Sequence, residues 1–251
     1  MYKRILIIAA VLGFIIWGVT ELFRPTLYIG ANSFAPMVIW ENDQKVAGLD
    51  VELANEAAQR LGMKAKFQRI DWETKEADLN SGRLDAIWCG LSITDARREK
   101  MLITQGYLRN TQAIVVVQDS EIKQLADLKG KRVGVLHGVA ISEEMKNFAI
   151  SREFRGLRRY IDPDMAFLNL RMGHVDALVL DETVARYHTV LNRNGNYRIL
   201  KDNFGEEEYG VAVSLQNSEL LEKIQRVLDE MAADGTISRL SKKWLGADYT
   251  Q

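Results

Sequence analysis

The chain has 251 residues, 47% of them apolar and 27% charged, with a formal net charge of −1. This composition belongs to a folded protein large enough for two modest cores and excludes a disordered chain; without a long basic run, phosphate-driven nucleic-acid binding is excluded as a main activity. Cys89 is the single cysteine, so no internal disulfide or cysteine-built metal motif can form, and His137, His174 and His188 share no metal-ligand spacing. Neither cofactor nor metal is expected.

Lys3 and Arg4 precede an apolar run over residues 5–19, and the first acid is Glu21. Positive charge followed by an apolar stretch directs the rest of the chain outward across the cytoplasmic membrane. Residues 1–23 are then either a signal peptide with a poor cleavage site or an uncleaved anchor, slightly short of the roughly 18 apolar residues that a span needs. Both readings stay open.

From residue 24 short apolar segments alternate with amphipathic ones, which predicts an α/β fold. Residues 27–31 read as a strand, and 38–40 with 45–47 as a hairpin. Asp50 is placed as the cap of a helix that ends at Gly62. Residues 67–70 follow as a strand and 72–81 as a helix. Ser81-Gly82-Arg83-Leu84-Asp85-Ala86 is echoed by Met172-Gly173-His174-Val175-Asp176-Ala177, each a helix end leading into a buried strand. Between them lie a strand over 132–136 and helices over 142–148 and 164–171, the last capped by Asp162. Two similar α/β lobes are the economical reading: residues 24–111 plus 206–251 form the first, and 112–205 the second. Three prolines and no Gly/Ser-rich linker mean short, strand-like crossings, placed at 107–113 and 205–210. A double connection restricts motion to hinge opening and closing.

Ligands of open α/β sheets bind beyond the carboxyl ends of the strands. There, Gly90 permits close backbone approach, Ser92 offers a hydroxyl, and Thr94 or Asp95 caps a short helix carrying Arg97. A guanidinium can hold a carboxylate through two parallel hydrogen bonds; alternatively, Arg97 is a surface arginine among other charges. Asp181 ends the strand 177–180 and is either the counter-ion of an amine or a cap for residues 182–188. Opposed across two lobes, Arg97 and Asp181 are what a zwitterion needs, and its arrival would select the closed state.

Taken in order, Ser33-Phe34-Ala35-Pro36, Gly48-Leu49-Asp50-Val51-Glu52, Leu91-Ser92-Ile93-Thr94-Asp95-Ala96-Arg97, the run from Leu125 to Val135, Val175-Asp176-Ala177 to Asp181, and Asp234-Gly235-Thr236 to Lys243-Trp244-Leu245-Gly246 resemble the family 3 extracellular solute-binding proteins. These are polar amino-acid receptors of bacterial ABC importers. The resemblance implies a two-lobed periplasmic-binding-protein-like (type II) fold, each lobe a mostly parallel sheet flanked by helices, joined by two hinge strands. It also implies a monomeric, non-catalytic receptor outside the cytoplasmic membrane, with a free amino acid and a membrane permease as partners. Under it, Arg97 holds the ligand carboxylate and Asp181 the amine. Gly90 and Ser92 contact the amino-acid backbone, and Phe34 and Trp72 sandwich its side chain. Ala31 stands where an acid is frequent, Gly138-Val139-Ala140 where a hydroxyl-bearing loop is usual, and Met37 where an aromatic is frequent. The Val139 and Ala140 backbone N–H groups remain as carboxylate donors, and a neutral ligand is favoured. Two alternatives stand beside this: a periplasmic dehydratase on the same clamp, with Glu182 or Glu143 as general acid, and a sensory module held by an uncleaved anchor.

Overall fold

A computed structural model describes residues 23–42, 45–136, 138, 145–191 and 197–250. The expected targeting segment therefore lies outside the described residues, apart from Phe23, as do Val139, Ala140, Glu143 and the first three residues of the helix expected over 142–148. Among the described residues no helix is long and apolar enough to cross a membrane.

The chain opens with β1 (Thr26–Ala31), the hairpin β2 (Ile39–Asn42) and β3 (Lys45–Ala47), helix α1 (Leu49–Arg60) and β4 (Lys64–Arg69). A 3-10 turn at Trp72–Thr74 leads into α2 (Lys75–Asn80), and β5 (Ala86–Ser92) is followed by α3 (Asp95–Arg98) and β6 (Leu102–Ile103). β7 (Leu108–Val117) crosses to β8 (Arg132–Leu136), β9 (Gly156–Tyr160), α4 (Pro163–Arg171), β10 (Ala177–Asp181) and α5 (Glu182–Arg186). The long β11 (Tyr197–Val213) returns, and α6 (Ser218–Ala233) and α7 (Thr236–Leu245) close the chain.

The hydrogen-bonded order β4-β1-β5-β11-β7-β10-β8-β9 has a parallel trio at each end and an antiparallel pair, β7 with β11, in the middle. Each trio is the centre of one lobe of a type II periplasmic-binding-protein fold. β5 and β10 are buried at every position, as expected of strands covered on both faces. The ribbon between the trios contains the expected crossings, where Asn110 pairs with Glu207 and Leu108 with Tyr209. The second crossing and the strand after it are one continuous element with register shifts, rather than a connection followed by a strand.

The repeated Gly-x-φ-Asp-Ala segments (φ apolar) have the same physical job in both trios. Asp85 accepts the Tyr28 N–H at 2.7 Å and gives its own N–H to the Tyr28 carbonyl at 2.8 Å. Asp176 does the same with Arg132, at 2.7 and 2.8 Å. Each aspartate thus clamps the start of its strand to the start of the neighbouring parallel one. The preceding glycines, Gly82 and Gly173, take left-handed φ values of 74° and 68° that let the helix end turn into the strand.

Asp50 corrects the sequence reading. Helix α1 is entered from Gly48, whose φ of 134° and proximity to the Met37 carbonyl leave no room for a side chain. Asp50 lies inside the first turn, wholly buried. The helix expected over 72–81 divides into a 3-10 turn, capped by Asp71, and α2. The described part of the helix expected over 142–148 forms a 3-10 turn, Met145–Asn147, followed by another at Ala149–Glu153.

Candidate functional site

The carboxyl ends of the strands face each other across a cleft lined by Asn32, Ser33, Phe34, Trp72, Cys89, Gly90, Ser92 and Arg97 from one lobe, and by Leu136, Gly138, Ile161 and Pro163 from the other. Its empty space is about 430 Å³, with the part open to solvent included.

The wall at Gly90 is built from inside the core. The Asp50 carboxylate accepts the Gly90 N–H at 2.6 Å and the Tyr107 hydroxyl at 2.7 Å. Gly90 adopts φ +55°, and a Cβ there would sit 2.7 Å from the Phe34 ring. Only glycine lets that ring lie against the strand. Burial raises Asp50 to about 7, with the Tyr107 and Gly90 bonds pulling the other way. Tyr107 begins the approach to β7, so one buried carboxylate joins helix, cleft wall and crossing strand.

Arg97 rides on α3, whose cap Thr94 accepts the Arg97 N–H at 3.2 Å. Its guanidinium is 4% exposed and donates to the Ser92 carbonyl at 2.8 Å and to the Gly138 carbonyl at 3.0 Å. Trp72 Nε1 donates to the same Gly138 oxygen at 2.8 Å. A single carbonyl of the second lobe thus receives two side chains of the first, and the lobes are held closed on each other. Gly138 has φ +75°, and a Cβ would approach Trp72 to 2.6 Å.

Of the residues singled out from sequence, Phe34, Trp72, Gly90, Ser92 and Arg97 come together on one lining. Asp181 stands apart from it: 1% exposed, it accepts from Asn110 Nδ2 and Gln112 Nε2, both at 2.7 Å, and its Oδ2 has no hydrogen-bond partner. Although it occupies the position before α5, its side chain caps nothing. Val139 and Ala140 fall outside the described residues. Ala31 and Met37, expected to shape specificity, are fully buried and absent from the lining; Asn32 and Ser33 are there instead. Leu136, Ile161 and Pro163 also went unread. Their signal was positional, since each lies at or just beyond the carboxyl end of β8 or β9.

Glu182 is not arranged as a general acid. It accepts from Thr111 at 2.7 Å and from Arg186 at 2.6 Å, and it faces a different groove. Burial opposes its ionisation, yet the Thr111 and Arg186 bonds hold it below the ordinary carboxylate range, so it has no proton to give at neutral pH. Among the described residues no group of histidine, cysteine and carboxylate side chains could hold a metal ion.

Among known proteins, the L-cystine-binding protein TcyJ of Escherichia coli (strain K12) is 32% identical over 231 residues, covering 91% of this chain and 85% of its own. An ancestral arginine-binding protein solved with arginine superposes with a TM-score of 0.80 at 36% identity, over 89% of this chain and 99% of that one. A substrate-binding protein of an ABC uptake transporter from Streptococcus pneumoniae, solved with histidine, gives a TM-score of 0.80 at 28% identity, over 90% and 94%. All three are binding proteins. Residues 27–247 match the family model of bacterial extracellular solute-binding proteins, family 3, and the chain belongs to that family.

Proposed function

We propose that the protein captures a free L-α-amino acid between its lobes, outside the cytoplasmic membrane, and delivers it to the permease of an ABC importer. The observation that carries this is a buried guanidinium, Arg97, on a cleft wall that also holds Ser92, Gly90 and the aromatic side chains of Phe34 and Trp72. In the proposed complex Arg97 binds the ligand carboxylate through charge-assisted bonds. Gly90 and Ser92 meet the amino-acid backbone, Phe34 and Trp72 enclose the side chain, and the Val139 and Ala140 N–H groups add to the carboxylate site. Asp181 takes the α-ammonium, which supplies a donor for Oδ2. The moving bodies are residues 24–111 with 206–251, and residues 112–205, turning about β7 and β11 as one monomer.

The described lining contains no acidic side chain, and Asn32 stands at the end of β1. That favours a ligand with a neutral side chain over a basic one, since a buried cation needs a paired charge. Arginine, histidine and cystine, the ligands named for the relatives, span both kinds.

The test is calorimetry against the twenty amino acids plus cystine and ornithine, after unfolding and refolding to strip any retained ligand. One clear binder, lost on Arg97→Ala and on Asp181→Ala, is the expected result. A folded protein that binds none of them overturns the assignment.

A further inference from the structure

The ribbon joining the lobes carries more chemistry than a hinge requires. Asn110 Nδ2 donates to Asp181 Oδ1 at 2.7 Å and also to Glu207 Oε1 at 2.5 Å. Gln112 Nε2 donates to the same two oxygens, at 2.7 and 2.9 Å. Two side-chain amides of β7 therefore tie a carboxylate of β10 to a carboxylate of β11, in a place where Asn110, Gln112 and Asp181 are all buried. Each amide has two N–H donors, one for each anion, so the four groups form a closed square. An exposed arginine or lysine pair would neutralise such carboxylates; here the shared partners are neutral. Like charges held in one site cannot readily both ionise unless a cation stands beside them.

The square has two buried acceptors without a partner, Gln112 Oε1 and Asp181 Oδ2, and of these only the carboxylate oxygen can carry a proton or a charge. An acceptor in that position takes either a proton or an ammonium. The other groups around it are accounted for. Tyr209 and Thr183 share a hydrogen bond at 3.1 Å, and Glu182 is held by Thr111 and Arg186. Arg109, Glu206, Glu208 and Tyr249 line the groove on the Glu207 side. Burial first, and the Glu207 carboxylate next, push Asp181 well above the ordinary carboxylate range, with Gln112 and Tyr209 opposing.

We propose that Glu207 is a positioning residue for ligand capture: through Asn110 and Gln112 it fixes Asp181, and the pair holds one proton that the incoming ammonium displaces. This rests on the assignment of Asp181 to the ligand ammonium. In the exchange an O–H bond of the pair breaks, its proton passes to the solvent buffer, and an N–H of the ammonium donates to the oxygen left behind. No electrons are transferred. Capture is thereby linked to proton release, and affinity rises about tenfold per pH unit wherever the pair is protonated without ligand and ionised with it.

Calorimetry of the full chain with L-cystine, L-arginine and L-glutamine, in two buffers of different ionisation heat, counts the protons directly. About one proton released per ligand is expected wherever the free pair is protonated, with affinity rising with pH over that range and levelling off above it. In Glu207→Gln, which keeps an acceptor for the amides but removes the charge, release should fall below about half and the pH profile should flatten. Glu208→Gln, on the same strand, should release as the unmodified protein does. Binding without proton release, or release unchanged in Glu207→Gln, overturns the proposal and leaves amino-acid capture standing. No heat with these three or with any other of the twenty amino acids or ornithine overturns both. The proton count of the unmodified protein decides the matter even where a variant fails to fold.

Discussion

The two lobes share a framework and divide the chemistry. In each, an aspartate at the start of a buried strand clamps the neighbouring parallel strand, Asp85 to Tyr28 and Asp176 to Arg132, in nearly the same geometry. Past the other ends of those strands the likeness stops. The first lobe gives the cleft its polar and cationic side chains, including Ser92, Asn32 and Arg97, whereas the second gives Leu136, Ile161, Pro163 and the backbone of Gly138. A clamp used alike in both lobes thus leaves the strand ends that meet the cleft free to differ, because those positions carry no part of it. On the described lining the polar side chains come from one lobe, and the other presents apolar side chains and the Gly138 carbonyl that holds Arg97 and Trp72.

The largest effect should come from breaking this asymmetry at its source. Arg97→Ala is expected to reduce amino-acid affinity on the order of a hundredfold or more, since two charge-assisted bonds are lost. Calorimetry reads this directly, and an affinity within about threefold of the unmodified protein would place recognition elsewhere.

Next is the buried support of the first lobe. Asp50→Ala leaves the Gly90 N–H and the Tyr107 hydroxyl without an acceptor, at a cost of about 2–4 kcal/mol in denaturant unfolding. The ionised form has its own pH signature. The ordinary value of 3.8 is raised to about 7 in the fold, so the unfolded chain loses this proton first and stability falls as pH rises from about 4 to about 7. Asp50→Asn should flatten that part of the profile. Asp176, in the second lobe, has the opposite sign: the Arg132 side chain lowers it, so its contribution is complete above 3.8 and is lost as pH falls through the lower folded value.

The shared clamp offers a sharper comparison. Asp85→Ala and Asp176→Ala should each cost about 1–3 kcal/mol, with Asp176→Ala the larger by up to about 1 kcal/mol because it also removes the half-buried, bidentate Arg132 pair. A much larger loss at one site would show that the lobes do not use the aspartate alike. The smallest effect belongs to the Gly138 carbonyl. Trp72→Phe keeps a ring over Gly138 but removes one hydrogen bond, which should weaken ligand binding about fivefold, with faster release as its kinetic mark.

What was legible in the sequence was local. The alternation of strands and helices, the repeated Gly-x-φ-Asp-Ala segment and the Thr94 cap all depend on residues a few positions apart. The cleft residues Gly90, Ser92 and Arg97 were found because they end a strand or follow it, whereas Phe34 and Trp72 came from the family resemblance. Long-range polar partnerships were not legible. Asp50 resembles a helix cap until its partners, 40 and 57 residues away, are known. Asn110, Gln112 and Glu207 read as ordinary polar residues of a crossing strand. Their meaning comes from Asp181, brought to them by a ladder pairing that composition and periodicity cannot encode. Asn32 was missed for a smaller reason: a one-residue difference at a strand end moves a side chain from the core to the cleft.

The strand order also sets a timetable for the chain as it is made from its amino to its carboxyl end. Strands β8, β9 and β10 lie within residues 132–181, so the second parallel trio is complete soon after it is made. Strand β5 must wait more than a hundred residues for its antiparallel neighbour, since Ala212 and Val213 of β11 pair with Ile87 and Ala86. During that interval the first lobe has an open sheet edge, the kind of surface on which strands of other molecules can add. Only the return of β11, with α6 and α7 behind it, seals that edge, so a strand made in the first two-fifths of the chain is protected by the last part of it.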